Sequence, residues 1–120
     1  MAEPKYYETV DVDGTASTET LETALTSTEE EKKTIEAIAF IETTATEQHD
    51  AIVSCYIERE EIARIPMNIT LLAHDSDSRI SGLVWFDLNH ELPAGQSFKI
   101  GHTSGTTASN VRYLIRYRIE

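Results

Sequence analysis

Val111-Arg112-Tyr113-Leu114-Ile115-Arg116-Tyr117-Arg118-Ile119 alternates without interruption. In an extended chain successive side chains point to opposite faces, so Val111, Tyr113, Ile115, Tyr117 and Ile119 share one side and Arg112, Leu114, Arg116 and Arg118 the other. The first set is entirely β-branched or aromatic, the composition that suits a pleated, half-buried surface. One face is therefore predicted to enter a core. The other carries three of the six arginines in the chain, with Arg116 and Arg118 about 6.6–6.8 Å apart along the strand. Two accounts of that row stand side by side: cross-strand ion pairs with nearby carboxylates, or an interface that receives the acidic half of another subunit.

Upstream of this strand the same period recurs in shorter runs. His102 to Asn110 reads as a Ser/Thr/Gly loop, Gln96 to Gly101 as a strand, and Pro93-Ala94-Gly95 as a turn. In the run 83–88, Val84, Phe86 and Leu88 are predicted to fill the core while Leu83 and Trp85 point the opposite way, so both faces need cover. Trp85 is the preferred interface anchor, since tryptophan is enriched among residues that dominate binding energy. His74-Asp75-Ser76-Asp77-Ser78 reads as a polar turn. Pro66 cannot donate to a central ladder and implies a break between two short strands within 62–73. Val53, Cys55 and Ile57 alternate with Ser54, Tyr56 and Glu58, and residues 34–44 hold six β-branched positions and Phe40. A strand is preferred for 34–44, with a helix as the competing reading.

The first third is different in kind. Residues 15–31 are almost all Thr, Ser, Ala and Glu, with Leu21 and Leu25 the only large apolar side chains. This stretch reads as a disordered arm, as peripheral strands paired through an Asp13-Gly14 turn, or as a helix begun by a capping box at 27–31. The organisation expected is a polar acidic segment over 1–33 and a β-sandwich core over 34–120. At 120 residues and 13.5 kDa the chain has room for one domain. The opening residues lack the basic-then-apolar order of a signal peptide, no apolar run is long enough to span a bilayer, and a soluble protein is expected.

Charge narrows the partners. Residues 1–61 hold sixteen acids against four Lys or Arg, a net of −12, and residues 62–120 five against six, a net of +1. Their sum is the formal −11, which repels nucleic acid and anionic lipid. Low lysine, abundant threonine and excess carboxylate are similar to the proteins of halophilic organisms.

No residues converge on a chemistry. Cys55 is the only cysteine, which excludes an internal disulfide and a Cys-based zinc site, and its alternation with Val53 and Ile57 predicts a buried, inert thiol. His49, His74, His90 and His102 sit singly beside turns and read as surface residues. Around Asp11-Val12-Asp13-Gly14 the calcium-loop pattern fails, because Thr9 and Thr20 fall where acids belong. Asp75 and Asp77 supply too few ligands, and Asn68-Ile69-Thr70 is a short glycosylation pattern relevant only to an exported protein. No catalytic, cofactor or metal site is expected.

The stretch Glu91-Leu92-Pro93-Ala94-Gly95-Gln96-Ser97-Phe98-Lys99-Ile100-Gly101 followed by Val111-Arg112-Tyr113-Leu114-Ile115-Arg116-Tyr117 resembles the closing strands of small jelly-roll modules in virion surface proteins. With the halophile-like composition, it looks like a capsid decoration, turret or spike component of a virus infecting a halophilic archaeon. The resemblance implies an antiparallel, jelly-roll-like β-sandwich acting as a structural subunit in the virion, with copies of itself and other structural proteins as partners. It carries over no functional residue. The candidate interface is Leu83, Trp85, Arg112, Leu114, Arg116 and Arg118 of a homo-oligomer. A ligand- or carbohydrate-binding module is the alternative.

Overall fold

Among the described residues the longest uninterrupted ladder runs over Asn110 to Tyr117, within the alternating run and its first neighbour, and the rest of the architecture is built around it. The computed structural model describes residues 4–43, 50–67 and 84–119. In chain order the strands are β1 (Tyr6–Asp13), β2 (Glu19–Thr26), β3 (Lys33–Glu42), β4 (Ile52–Ile57), β5 (Glu60–Pro66), β6 (Phe86–Leu92), β7 (Ser97–Thr103) and β8 (Asn110–Ile119). They form two antiparallel four-stranded sheets, ordered β1-β8-β3-β6 and β2-β7-β4-β5. The protein is an all-β antiparallel sandwich. Among the described strands, only β4 and β5 are both consecutive and paired; every other consecutive pair is divided between the two sheets.

The alternation decides which side chains are inside. Val111, Tyr113 and Ile115 of β8, Val53, Cys55 and Ile57 of β4, and Phe98 and Ile100 of β7 are all buried between the sheets. Each large apolar side chain so buried stabilises the fold by about 1.5–3 kcal/mol. On β3 the pattern is broken once. Its pairing with β8 slips between Ile35 and Ala37, a β-bulge that leaves Glu36 as the extra residue. The extra residue shifts the parity, so Ile35, Ile38 and Phe40 all reach the core although they are not evenly spaced.

The N-terminal third is part of the sandwich. β1 and β2 contribute the buried Val12 and Leu25, so the arm and helix readings do not describe it, and the segment supplies two edge strands. Nor does Asp13-Gly14 close a hairpin: β1 pairs with β8 and β2 with β7, in different sheets. The alternation had too few large apolar residues to reveal this, because edge strands bury only part of one face. β5 ends at Pro66 as the missing N–H requires. The second strand read within 62–73, the turn at 74–78 and the acceptor pattern at 68–70 lie outside the described residues. β6 starts only at Phe86, after Val84 and Trp85, and continues through Asn89, whose φ of 49° marks an irregularity in the strand.

One histidine is misplaced by the turn rule. His102 is fully buried, not on the surface, because β7 runs two residues past Gly101 and His102 continues the inward series of Phe98 and Ile100. His90 is exposed, and His49 and His74 lie outside the described residues. The Ser109 carbonyl can only accept, so His102 Nε2–H donates to it at 2.6 Å, and Nδ1 is left to accept from the Tyr113 hydroxyl at 2.9 Å. Burial holds the imidazole below its usual range despite the Ser109 carbonyl and the Glu42 charge. A histidine that resists protonation only when folded gives stability that is whole above about pH 6.5 and is lost as the pH falls. Urea midpoints should therefore drop between pH 7 and pH 5, above the range in which Glu36 and Asp11 titrate, and His102→Gln should flatten that drop.

Cys55 is fully buried on β4, and burial pushes its thiol up to about 12. A thiol reagent should label the folded protein slowly and react at once after denaturation. Rapid stoichiometric labelling of native protein would show that the β4 face assignment is wrong.

Candidate functional site

Strand register sets four rows of side chains on the outer face of the first sheet. Residues that pair across strands point to the same side, so Tyr7, Arg116, Ala37 and Asp87 form one row from β1 to β6. Thr9, Leu114 and Ala39 form the next, and Asp11, Arg112 and Ile41 a third. Thr34 stands beside Arg118.

The arginines meet acids of their own chain. Arg112 grips Asp11 with two bonds, at 2.7 and 3.2 Å, and this holds the Asp11 carboxyl below its usual range. Both side chains are exposed, so the pair adds little to stability. Glu36 differs because the bulge tucks it under its neighbours. Its side chain is only 8% exposed, and Lys5 at 2.7 Å and Arg118 at 3.1 Å both donate to Oε2, with Arg116 Nε 3.4 Å from Oε1. The Lys5 bond first, then those of Arg118 and the Arg116 charge, keep its carboxyl low against the cost of burial. The ion-pair account of the arginine row therefore describes Arg112, Arg116 and Arg118 in the folded chain.

Trp85 is half-buried and already has company. Its ring meets Tyr7 edge-on at 6.3 Å between centroids, and the Arg116 guanidinium lies 5.1 Å above it. To reach β8 and β1 from the start of β6 the indole must cross β3, and Ala37 in that row presents only a methyl group. Arg116 thus sits between a carboxylate and an aromatic face, a setting that fixes its planar head. Leu83 lies outside the described residues.

Beside this cluster is an apolar depression of about 150 Å³, lined by Thr9, Ala39, Ile41, Arg112 and Leu114. Ala39 is fully buried at its floor, while Ile41 and Leu114 remain partly open. Of the candidate residues, the structure gathers Trp85, Arg112, Leu114, Arg116 and Arg118 on one face. Sequence reasoning missed Tyr7, Thr9, Ile41 and Glu36. The signal for Glu36 was a lone acid inside the apolar run 35–41; for Tyr7 and Thr9, no pattern marked a role.

Among the described residues no group of three His, Cys, Asp or Glu side chains is placed to hold a metal ion, and no helix is long and apolar enough to cross a membrane. No protein-family model, no curated protein and no solved structure matches the chain.

Proposed function

We propose that the chain is a structural subunit of a larger protein assembly, a virion surface or capsid-associated protein of a virus infecting a halophilic archaeon, and that it works through protein–protein contacts and not by catalysis. The observation that carries this reading is the apolar depression on the outer face of the first sheet. An antiparallel sheet that faces water is expected to turn polar side chains outward, yet Ile41 and Leu114 point out beside Ala39. Cover by a neighbour would take them out of water, at up to about 1.5–3 kcal/mol for each side chain fully enclosed.

The strand order supports the same reading. In an eight-stranded jelly roll, two Greek keys wind into a pair of four-stranded sheets, an architecture used in viral capsid and lectin domains, and the two four-stranded sheets β1-β8-β3-β6 and β2-β7-β4-β5 support the jelly-roll-like reading. The formal charge of −11 suits a surface kept soluble in concentrated salt. The mechanism is passive: shape and apolar anchors hold copies of the chain and other structural proteins in register. The mass of the native particle in high and low salt tests it. A particle many times the 13.5 kDa chain that survives high salt, where exposed ion pairs are screened, is expected; material from the native source that is monomeric at both salts contradicts it.

One observation favours a carbohydrate- or ligand-binding module instead. A groove of about 500 Å³ between β5 and β6 has Trp85 and Phe86 on its wall with Arg64, Asp87 and His90, the mix of ring and polar groups that small-ligand sites use. Trp85 is the only tryptophan, so a saturable change in its fluorescence on adding a sugar would support this reading.

A further inference from the structure

We infer that two copies of the chain join through the free edge of β1, pairing β1 antiparallel with β1 of the second copy about a two-fold axis at Thr9. The two first sheets would then form one sheet of eight strands. This goes beyond the assembly reading and does not rest on it: that reading uses the outer face, whereas this contact uses the edge.

A sheet edge presents unpaired N–H and C=O groups, and proteins blunt such edges with bulges, prolines or lysines. Among the described residues the sandwich has four edge strands, β1, β6, β2 and β5. Three of them are blunted. β2 slips register between Thr23 and Leu25. β5 slips where it pairs with Cys55 and Tyr56, and it ends on Pro66. β6 slips opposite Ile35 and Ala37 and holds Asn89 at a positive φ. β1 has the least of this: it pairs with β8 without a slip from Tyr6 to Asp13 and contains neither proline nor lysine, and its charges are the carboxylates of Glu8, Asp11 and Asp13. Among the described residues β8 is its only strand partner.

Exposure points to the same edge. Three large apolar or aromatic side chains are exposed among the described residues, and two of them, Tyr6 and Tyr7, open β1 at 38% and 55%.

The sequence of β1 also selects a register. A two-fold axis perpendicular to the sheet keeps the outer faces on one side, so only same-face residues can meet. Centred on Thr9, the register sets Tyr6 against Val12, Tyr7 against Asp11, Glu8 against Val10, and Lys5 against Asp13 of the second copy, each twice by symmetry. The Tyr7 hydroxyl can donate to the Asp11 carboxylate beside its Arg112 partner; Lys5 is already held by Glu36 of its own chain and does not enter the choice. Centring on Glu8 or Asp11 would set carboxylate against carboxylate, and centring on Val10 would set Tyr6 against Gly14, beyond the end of the strand. The two Leu114 residues would lie three strand spacings apart, about 14 Å, so the two apolar depressions would flank the axis.

Variants at exposed Thr9 test the contact. In the Thr9-centred register the two Cβ atoms at position 9 stand about 4.5–5.5 Å apart, within a small adjustment of disulfide geometry. Thr9→Cys should therefore form a covalent dimer under mild oxidation, while Asp13→Cys, eight residues from its counterpart, should not. Thr9→Glu places two carboxylates on the axis and should weaken the dimer about fivefold or more in sedimentation equilibrium, with an unchanged β-sheet circular dichroism spectrum. Leu114→Glu, which alters the outer face alone, should leave the dimer intact even if larger assembly is lost. A wild type that is monomeric at high micromolar concentration, a dimer indifferent to Thr9→Glu, or cross-linking no faster at position 9 than at 13 would overturn the inference.

Discussion

Replacing Arg116 and Arg118 together by glutamate should destabilise the folded chain by about 2–3 kcal/mol, measured by urea unfolding at neutral pH. Removing one partner of a buried ion pair costs about 3–5 kcal/mol because the other charge stays buried. The arginine side chains are about a third exposed, at 31% and 34%, so the lower figure applies. Glu36 would keep only Lys5 and gain two acids beside it. Arg116→Gln with Arg118→Gln should cost less, since no like charge is introduced. A loss of assembly in the glutamate variant would thus report on folding as well as on contact, whereas Leu114→Glu changes the outer face without touching the Glu36 cluster.

Gly101→Ala should be the most damaging addition of a single methyl group, at about 3 kcal/mol. Gly101 lies on β7 opposite Leu21 of β2 and Ser54 of β4. A Cβ there would overlap the Thr20 carbonyl oxygen and press on the Leu21 Cα. Both obstacles are backbone, so no rotamer change relieves them and β2 must move off the ladder. Thermal unfolding of Gly101→Ala beside Gly95→Ala separates packing from turn strain. Gly95 has a φ of +81° with open space around it, so its substitution should cost only the strain of that conformation.

Legibility followed how fully each strand is buried on one side. β8, β4 and β7 were readable because their inner faces are almost wholly apolar, and Pro66 marked the end of β5. β3 was ambiguous between strand and helix for a physical reason: the bulge at Glu36 puts Ile35 and Ile38 three apart, a helical spacing, on one face of a strand. β1 and β2 were obscure because an edge strand needs few apolar residues, and only Val12 and Leu25 are fully enclosed. His102 follows from extending the parity of Phe98 and Ile100 by one step, because β7 continues through Thr103 and the Ser/Thr/Gly composition that signals a loop takes effect only beyond it. At the candidate site, the outward arginines were legible and their partners were not. Asp11 is 101 residues from Arg112 and Glu36 82 from Arg118, and no local pattern encodes which strands become neighbours.

The central claim is that the outer face of the first sheet is covered by another protein in the native assembly, and side-chain footprinting of Ile41 and Leu114 tests it most directly. Both are partly open in the isolated chain and should be labelled there by a short-lived carbene or hydroxyl radical. In the native particle the account predicts strong protection of both, with exposed Thr28 and Glu30 at the far loop as controls. Equal labelling of Ile41 and Leu114 in the isolated chain and in the particle would contradict it.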